Sequence, residues 1–263
     1  MSANRAAGKR VGLIKLVGVA VGISLECIIL LLLMSNTLTH IAIIPDGNRR
    51  WAKKQGKASF EGHKHAADHT IPALYDIVIK LGISYCTLWA LSPENFTKRS
   101  AFEINSLLQL IHLFVYKRID EMNEKGIKIN IIGDIAAFPE NIKKDLAHAV
   151  DQTKDNTNLV FTFALNYGGR DEIIRAIKKI QTSSIQDQTI SKETFGKLLD
   201  TAGMPDPELI IRTGGEKRTS GFLPWQSEYA EYAFLDKLFP DFTPQDLEMC
   251  VEDFYRRKRR FGK

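Results

Sequence analysis

The sequence predicts an α/β protein in which a mostly parallel central sheet is flanked by helices on both faces. From His40 onward, short apolar runs rich in β-branched residues alternate with longer patterns of helical periodicity. No internal repeat, low-complexity stretch or Pro/Gly-rich linker divides this region, which indicates one domain. With 263 residues, of which 44% are hydrophobic and 25% charged, the chain is large enough to bury one extended core.

Five short apolar runs are predicted to be strands, with helical patterns between them. The predicted strands are Ile41–Ile44, Tyr85–Leu91, Ile127–Ile132, Leu159–Leu165 and Leu209–Ile211. Polar loops follow the first, second, fourth and fifth of these strands. Because the carboxyl ends of parallel strands meet at one edge of a sheet, we expect these loops to converge on a single site. The loops contain Asp46, Ser92 to Asn95, Asn166 to Arg170, and Arg212 to Glu216.

The positive net charge of the chain is concentrated at its two ends. Of the overall +5, residues 1–34 carry +3 and residues 256–263 carry +6, which leaves −4 for the body. A mildly acidic body argues against a nucleic-acid-binding surface, since such a surface needs basic side chains spread over one face. Three cysteines far apart in the sequence exclude a disulfide framework and a CxxC metal pair, and they favour a reducing compartment.

Residues 1–34 are predicted to be a basic, hydrophobic N-terminal segment, and residues 35–263 the folded domain. The apolar stretch 16–34 is long enough to span a bilayer, but Glu26 near its middle costs about 2–3 kcal/mol. Basic residues before a single span would place the folded domain on the far side of the membrane, against the cysteine usage. An interfacial anchor avoids that conflict, and translation starting at Met34 is a third interpretation. We expect the domain on the cytoplasmic side of a membrane, anchored or peripheral through this segment.

The sequence HIAIIPDGNRRW places a carboxylate and two guanidinium groups directly after the first strand. Asp46 is followed by Gly47, which lets a ligand approach the backbone closely, and then by Asn48, Arg49 and Arg50 at the start of a predicted helix. Arginines and backbone N–H groups bind phosphate oxygens, and a carboxylate binds Mg²⁺. The pattern indicates a diphosphate site with a metal ligand; the alternative is an ordinary helix N-cap with solvated arginines.

The sequence RTGGEKRTSGF indicates a second anion site. Arg212, Arg218 and Ser220 surround a Gly-Gly turn that can direct two guanidinium groups and a hydroxyl to one anion. The spacing of a P-loop and the paired-acid sequence DDxxD are both absent from the chain. Two anion sites at one edge of the sheet imply two phosphorylated substrates.

The motifs IIPDGNRRWAKKQGK, the later Gly62-His63, SPENF, NYGGR, RTGGEKRTS, WQSEYAEYAF and FPDF together resemble the cis-prenyltransferase family, the undecaprenyl diphosphate synthases and their relatives. The resemblance runs from about His40 to Gly262. It implies a Mg²⁺-dependent homodimeric enzyme with an apolar product tunnel. The reaction it implies is repeated condensation of isopentenyl diphosphate onto an allylic diphosphate such as farnesyl diphosphate, to give a polyprenyl diphosphate lipid carrier.

The same resemblance implies roles for individual residues. Asp46 matches the catalytic aspartate, which also binds the metal, and Asn95 matches the asparagine assigned to proton removal. Glu231 matches a second metal ligand offered across a dimer interface. Residues implied in substrate binding are Gly47, Asn48, Arg49, Arg50, Trp51, His63, Ser92, Glu94, Phe96, Arg99, Arg212, Arg218, Thr219, Ser220, Arg260 and Gly262.

Several positions depart from the family pattern. Ser59 stands where bacterial members usually have an arginine, and Lys57 is a candidate replacement for it. After Asn95 the chain is one residue longer than usual, so that either Lys98 or Arg99 could be the phosphate contact; we favour Arg99. Pro72 interrupts a helical pattern and should kink or end the helix there.

Three features have two interpretations each. The helix from Ser106 to Val115 is apolar nearly all round, which is typical of a core helix and also suits a tunnel wall. His65 and His69 have the spacing of a zinc pair on a helix, but acidic or cysteine partners at suitable spacing are missing, so we do not expect zinc. The tail RRKRRFGK is either a solvated run of charge or a patch for anionic lipid.

Two other functions would be expected to leave different features in the sequence. A non-catalytic partner subunit of a heteromeric cis-prenyltransferase would be expected to lose the acid of the first loop, which this chain keeps as Asp46. A membrane-anchored phosphoryl-transfer enzyme would be expected to have a P-loop.

Overall fold

A computed structural model describes residues 38–182 and 190–257 of the chain. Within these ranges it contains one six-stranded sheet in the order β3-β4-β2-β1-β5-β6, and every neighbouring pair of strands is parallel. The strands are β1 (His40–Ile44), β2 (Tyr85–Trp89), β3 (Ile127–Ile132), β4 (Leu159–Ala164), β5 (Leu209–Arg212) and β6 (Glu231–Phe234). The predicted α/β class and parallel sheet are confirmed.

Parallel neighbours require long crossover connections. Helices provide these connections for every strand up to β5, whereas residues 213–230 between β5 and β6 contain no helix. The helices are α1 (Asn48–Lys54), α2 (Ser59–His65), α3 (Ile71–Lys80), α4 (Pro93–Lys98), α5 (Ala101–Glu124), α6 (Glu140–Gln152), α7 (Gly169–Thr182), α8 (Lys192–Gly196) and α9 (Pro244–Arg256). A π-helical turn (Ala66–Thr70) joins α2 to α3, and a 3₁₀ turn (Phe239–Asp241) precedes α9.

Strand β1 lies between β2 and β5 in the middle of the sheet. All five of its residues are buried, which explains why its sequence is an uninterrupted apolar run after His40. In the pairing of β1 with β5, Ile44 lies opposite Arg212. The loops that follow these two strands therefore start side by side at the carboxyl edge of the sheet.

The sequence-based assignment missed only the last strand of the described sheet. Strand β6 has four residues and pairs with β5 alone, at the edge of the sheet. One of its residues, Ala233, is buried and the other three are half-buried. Such a short edge strand lacks the apolar run by which the buried strands were recognised.

Pro72 does not end the helical segment in which it lies. It occupies the first turn of α3, where a missing backbone N–H is tolerated, and the π-helical turn comes directly before it. Proline cannot donate to the carbonyl four residues earlier, that of Asp68. That carbonyl instead accepts a hydrogen bond from Nη2 of Arg118, at 2.8 Å. A side chain of α5 thus compensates for the interruption.

The hydrophobic stretch 16–34 lies outside the described residues, as does the basic tail from 258 onward. Within residues 38–182 and 190–257, every helix is too short or too polar to cross a bilayer.

Candidate active site

A cavity of about 680 Å³ opens at the carboxyl edge of the sheet, beside the ends of β1, β2 and β5. Its mouth is polar and its interior apolar. The polar and charged residues that line it are Asp46, Asn48, Arg49, Arg50, His63, Ser92, Glu94, Asn95, Arg99, Arg212 and Ser220. The loops after β1, β2 and β5 therefore converge on one site.

Asp46 lies between two guanidinium groups at this mouth. Its Oδ2 accepts a hydrogen bond from Nη2 of Arg212 at 2.9 Å, and its Oδ1 accepts one from Nη2 of Arg50 at 3.3 Å. The contact with Arg212 follows from the sheet register, because Asp46 comes two residues after Ile44 and Ile44 is paired with Arg212. About a third of the Asp46 side chain stays exposed, which leaves the carboxylate accessible from the cavity.

The guanidinium group of Arg212 is held in place by burial and by several hydrogen bonds. The residue is only 5% exposed, and its Nη1 donates to the backbone carbonyl of Arg218 at 2.6 Å and to Oγ of Ser220 at 2.9 Å. Its Nε is buried and has no hydrogen-bond partner among the described residues. A buried guanidinium whose positive charge is balanced by only one carboxylate favours an additional anion nearby.

The Gly-Gly turn after β5 locks the two loops together. Gly214 has φ +88°, and a β-carbon there would lie 2.6 Å from Nη2 of Arg50 and 3.1 Å from Asp46. Oγ1 of Thr213 donates to the backbone carbonyl of Asp46 at 2.8 Å. Glycine at position 214 is therefore required both by the backbone angle and by the close approach of the first loop.

A second cluster of cationic and polar groups also lines the cavity. Nη1 of Arg99 lies 3.5 Å from Nε2 of His63, and Nη2 of Arg49 lies 3.9 Å from the carboxylate of Glu103. Burial, together with the charges of Arg99 and Arg49, lowers the pKa of His63 to about 4. His63 is thus neutral at pH 7 and can donate one ring N–H to a phosphate oxygen.

The electrostatics of Arg99 indicate that this cluster is also an anion site. Burial and the nearby charge of Arg49 both lower the pKa of Arg99. Its Nε is buried and lacks a hydrogen-bond partner within the described residues. Bound phosphate oxygens would supply negative charge that stabilises the buried guanidinium beside Arg49, and they would accept a hydrogen bond from its unpaired Nε.

Ser92 shapes the loop after β2. Its Oγ caps α4 by accepting a hydrogen bond from the backbone N–H of Asn95 at 3.2 Å. Glu94 and Asn95, in the first turn of this short helix, are exposed at the mouth of the cavity.

Five residues named by the resemblance lie outside the cavity lining. Trp51 is buried and donates from Nε1 to Asp241 at 2.7 Å, and Phe96 stacks on Phe138 with 5.5 Å between ring centroids. The side chain of Arg218 pairs with Glu216, while the carbonyl of Thr219 accepts the backbone N–H of Phe222. Glu231 is the fifth residue outside the lining. Arg260 and Gly262 lie in the tail from 258 onward, outside the described residues.

Glu231 lies at the amino end of β6, opposite Leu209. Asp46 follows the carboxyl end of the neighbouring strands, so the two carboxylates are separated by roughly 10 Å of strand length. Within one chain, Glu231 pairs instead with Arg257, at 2.8 Å. The chain does not bring the two carboxylates of the predicted metal site together by itself.

The structure separates the two candidates for the phosphate contact after Asn95. Arg99 lines the cavity, whereas Lys98 is exposed and lies outside it. Lys57, considered as a replacement for the missing arginine at Ser59, has its ammonium group 5.5 Å from the centroid of the Trp51 ring, and it also lies outside the lining. Ser59 instead borders a separate pocket of about 130 Å³.

The long helix α5 is both core and cavity wall, on different faces. Leu107, Leu110 and Ile111 line the cavity, whereas Leu108 is buried outside the lining. Tyr116, on a further face, is 78% exposed.

Sequence reasoning did not identify the cavity-lining residues that come from the sheet. Ile129 and Ile131 of β3, with Phe163 of β4 and Leu165 after it, form part of the apolar wall. Each pair has the i, i+2 spacing of side chains on one face of a strand. That alternation is a usable signal, but it does not distinguish a face that lines a cavity from one that is packed against a helix.

A group of three or more histidine, cysteine or acidic side chains arranged to hold a metal is absent from residues 38–182 and 190–257. Asp46 alone nonetheless fits Mg²⁺ bound with a diphosphate. This ion usually keeps several waters and is held by one or two carboxylates plus phosphate oxygens. The carboxylate of Asp46 is partly exposed, and its 3.3 Å hydrogen bond to the exposed Arg50 is weak enough to be exchanged.

The chain is similar to known proteins over most of its length. The family described as "Putative undecaprenyl diphosphate synthase" matches residues 44–262. An isoprenyl transferase of Clostridium perfringens is 45% identical over 227 residues, covering 85% of this chain and 89% of that protein. The farnesyl-diphosphate-specific ditrans,polycis-undecaprenyl-diphosphate synthase of Micrococcus luteus is 43% identical, covering 85% and 90% of the two chains.

A solved structure shares the fold. The crystal structure of lavandulyl diphosphate synthase from Lavandula x intermedia, in complex with dimethylallyl diphosphate, superimposes with a TM-score of 0.82 and 34% sequence identity. The superposition covers 86% of this chain and 99% of that one.

Proposed function

The chain belongs to the undecaprenyl diphosphate synthase family of cis-prenyltransferases, and from this premise we propose that it condenses isopentenyl diphosphate onto an allylic diphosphate, farnesyl diphosphate or similar, to make a long-chain polyprenyl diphosphate. One observation carries the proposal. Two separate groups of cationic side chains lie at the mouth of one deep apolar cavity, with Asp46 in contact with one of them. Such a site suits two diphosphates and one growing hydrocarbon chain.

In this reaction the bond between C1 of the allylic chain and its diphosphate oxygen breaks, and the diphosphate leaves with the electron pair. The double bond of isopentenyl diphosphate supplies the pair for a new bond from its C4 to C1. Loss of a proton from its C2 to an oxygen of the released diphosphate then forms the new double bond. The guanidinium groups of arginines around the leaving diphosphate stabilise the negative charge that develops on it.

We assign the two groups to the two substrates. Arg49, His63 and Arg99 lie beside the cavity wall formed by α5, which favours this group as the site for the allylic diphosphate whose chain enters the interior. Arg212 and Ser220 then receive isopentenyl diphosphate. The apolar interior keeps water away from the allylic cation and accommodates the product chain. Asn95 is placed at the mouth, where its amide can orient the diphosphate oxygen that takes the proton.

Mg²⁺ is part of the proposal. Asp46 would hold it together with diphosphate oxygens, and when bound the ion would supply neutralisation of the leaving group. In the absence of the ion, hydrogen bonds from Arg212 and Arg50 orient the carboxylate of Asp46.

Homodimerisation and membrane association are proposed on the family resemblance and the sequence. Glu231 on the edge strand β6 can act in the site of a second copy, since within its own chain it lies away from Asp46. The apolar stretch 16–34 supports attachment to the cytoplasmic side of a membrane.

The test is an assay of the full chain with farnesyl diphosphate, radiolabelled isopentenyl diphosphate and Mg²⁺. We expect butanol-extractable label from the wild type and a loss of roughly 10²–10³-fold in kcat for Asp46→Ala, with EDTA abolishing the signal. Asp155→Ala, an exposed acid away from the cavity, is the control and should retain activity. Label that appears only when a second, different subunit is added would favour the non-catalytic alternative.

A further inference from the structure

Helix α7 contains a buried glutamate that takes no part in the proposed chemistry. Glu172 is 1% exposed, and its carboxylate accepts hydrogen bonds from three donors. These are the hydroxyl of Tyr167 at 2.6 Å, the backbone N–H of Asp200 at 2.9 Å and Nε2 of Gln226 at 3.1 Å. Burial raises the pKa of Glu172, and the hydrogen bonds from Tyr167 and Gln226 oppose that rise.

The three donors belong to three separate segments of the chain. Tyr167 lies in the loop after β4, Asp200 follows α8, and Gln226 ends the segment 220–226 that continues from the Gly-Gly loop. Tyr167 and Gln226 are almost fully buried, with exposures of 0% and 2%. Glu172 therefore joins the end of segment 220–226 to helix α7 and to the loop after β4.

The segment 220–226 needs such support because its backbone is strained. Ser220 and Leu223 are non-glycine residues with φ of +53° and +47°, a left-handed conformation that is unfavourable for them and persists only where the surroundings hold it. The backbone N–H of Gly169 donates to the carbonyl of Gly221 at 3.0 Å. Phe222 is fully buried and stacks on Trp89, with 5.0 Å between ring centroids.

The strained start of this segment is where it meets the active site. Ser220 Oγ accepts a hydrogen bond from Arg212 at 2.9 Å, and Arg212 in turn holds Asp46. A shift of the segment would therefore move the hydroxyl and release one of the contacts that orient the buried guanidinium.

The amide of Gln226 is oriented by the carboxylate. Its Nε2 faces Glu172 and also donates to Oγ1 of Thr201 at 2.8 Å, while its buried Oε1 lacks a partner within the described ranges. Both acceptors lie on the Nε2 side, and loss of the carboxylate would leave the Thr201 hydroxyl as the remaining acceptor that orients the amide.

We propose that Glu172, through Tyr167 and Gln226, is a positioning residue for the diphosphate site formed by Arg212 and Ser220. The inference rests on the proposed function, in which that site takes isopentenyl diphosphate. The residue acts at a distance by holding segment 220–226 in place, and it touches neither substrate.

The chain offers a matched control for the test. Tyr75 is also fully buried and donates to a glutamate, Glu121, at the same distance of 2.6 Å, but within the described residues none of the hydrogen bonds of this pair reaches segment 220–226. Tyr167→Phe and Tyr75→Phe each delete one hydroxyl from one Tyr–Glu hydrogen bond. Because a typical hydrogen bond contributes about 1 kcal/mol, we expect Tyr167→Phe to raise KM for isopentenyl diphosphate about fivefold and to leave KM for farnesyl diphosphate unchanged.

We expect Tyr75→Phe to leave both KM values unchanged while lowering thermal stability to a similar extent. Glu172→Gln, which keeps an acceptor for Asp200, should have a smaller effect than Glu172→Ala. The inference is overturned if both tyrosine variants change the two KM values alike, or if Tyr167→Phe changes neither.

A direct binding measurement separates this inference from the proposed function. Inorganic diphosphate is titrated by calorimetry into the full chain carrying Arg99→Ala, which weakens the other anion site, with and without Tyr167→Phe. Weaker binding in the double variant supports the inference even if the wild type shows no transfer. Equal binding overturns it, whereas absence of transfer by the wild type contradicts only the proposed function.

Discussion

At the scale of single residues, Arg212 connects the two loops that form the site. It ends strand β5, is buried, and donates to Asp46, to Ser220 and to the backbone of Arg218. A planar guanidinium can serve several acceptors at fixed angles, whereas a lysine ammonium on a flexible chain cannot do so at the same positions. The geometry of the site therefore depends on arginine at this position and not merely on a positive charge.

We predict that Arg212→Lys lowers kcat/KM by roughly 10²-fold, which corresponds to about 2.7 kcal/mol of transition-state stabilisation. It should also lower the free energy of unfolding by about 1–3 kcal/mol, because buried acceptors lose their donors. Steady-state kinetics and urea unfolding measure the two effects. Arg218→Lys is the control for stability, since the Arg218 side chain pairs only with the exposed Glu216 among the described residues; a similar loss of stability in both variants would contradict the prediction.

At the scale of elements, the close packing of α1 and α2 brings His63 to the cavity. Gly62 lies against the first residue of α1, and a β-carbon at position 62 would overlap the backbone carbonyl of Asn48. Asn48 begins α1 and His63 directly follows Gly62. The distance between the two helices thus sets where the histidine and the first loop stand relative to each other.

Gly62→Ala is expected to destabilise the protein by about 3 kcal/mol or more, because backbone atoms cannot yield as a flexible side chain does. It should also weaken binding of the allylic substrate through displacement of His63. Gly196→Ala is the matched control: it is also helical, and a β-carbon there meets no atom within 4 Å. Thermal unfolding of the two variants tests this, and equal melting temperatures would show that the helices can separate at little cost.

At the scale of the whole molecule, two buried histidines connect stability to pH. His40 is 1% exposed, its Nδ1 donates to the carbonyl of Pro205 at 2.7 Å, and its Nε2 accepts from Oγ1 of Thr87 at 2.8 Å. Burial lowers the pKa of His40 to about 4, and that of His63 is lowered to the same value. Both rings are neutral in the folded protein down to acidic pH.

We predict that the free energy of unfolding falls as the pH drops from about 6.5 to about 4. In this window the two histidines become protonated in the unfolded chain but stay neutral in the folded protein. Each histidine therefore lowers the free energy of unfolding by up to roughly 3 kcal/mol. Above pH 6.5 both states are neutral and the contribution is complete. Urea unfolding at several pH values should show a shallower slope in His40→Gln than in the wild type, and an unchanged slope would contradict the prediction.

The sequence by itself determined the class of fold, five of the six strands of the described sheet, and the three loops after β1, β2 and β5 that line the cavity. These features are local: a buried parallel strand must be an apolar run, and Asp46, Gly47 and the arginines follow it directly in the chain. The strand order, which places β5 beside β1, could not be read from any single segment. It is nevertheless this order that brings Arg212 to Asp46.

Only the tertiary structure decided which residues share the cavity. It selected Arg99 over the adjacent Lys98, divided α5 into a core face and a cavity face, and placed Glu231 away from Asp46. It also revealed the contacts of Glu172, whose three partners come from distant parts of the chain. The physical reason is that a side chain's environment depends on which elements pack against it. Packing brings together segments that are far apart in the sequence, and the local pattern of neither segment specifies the contact.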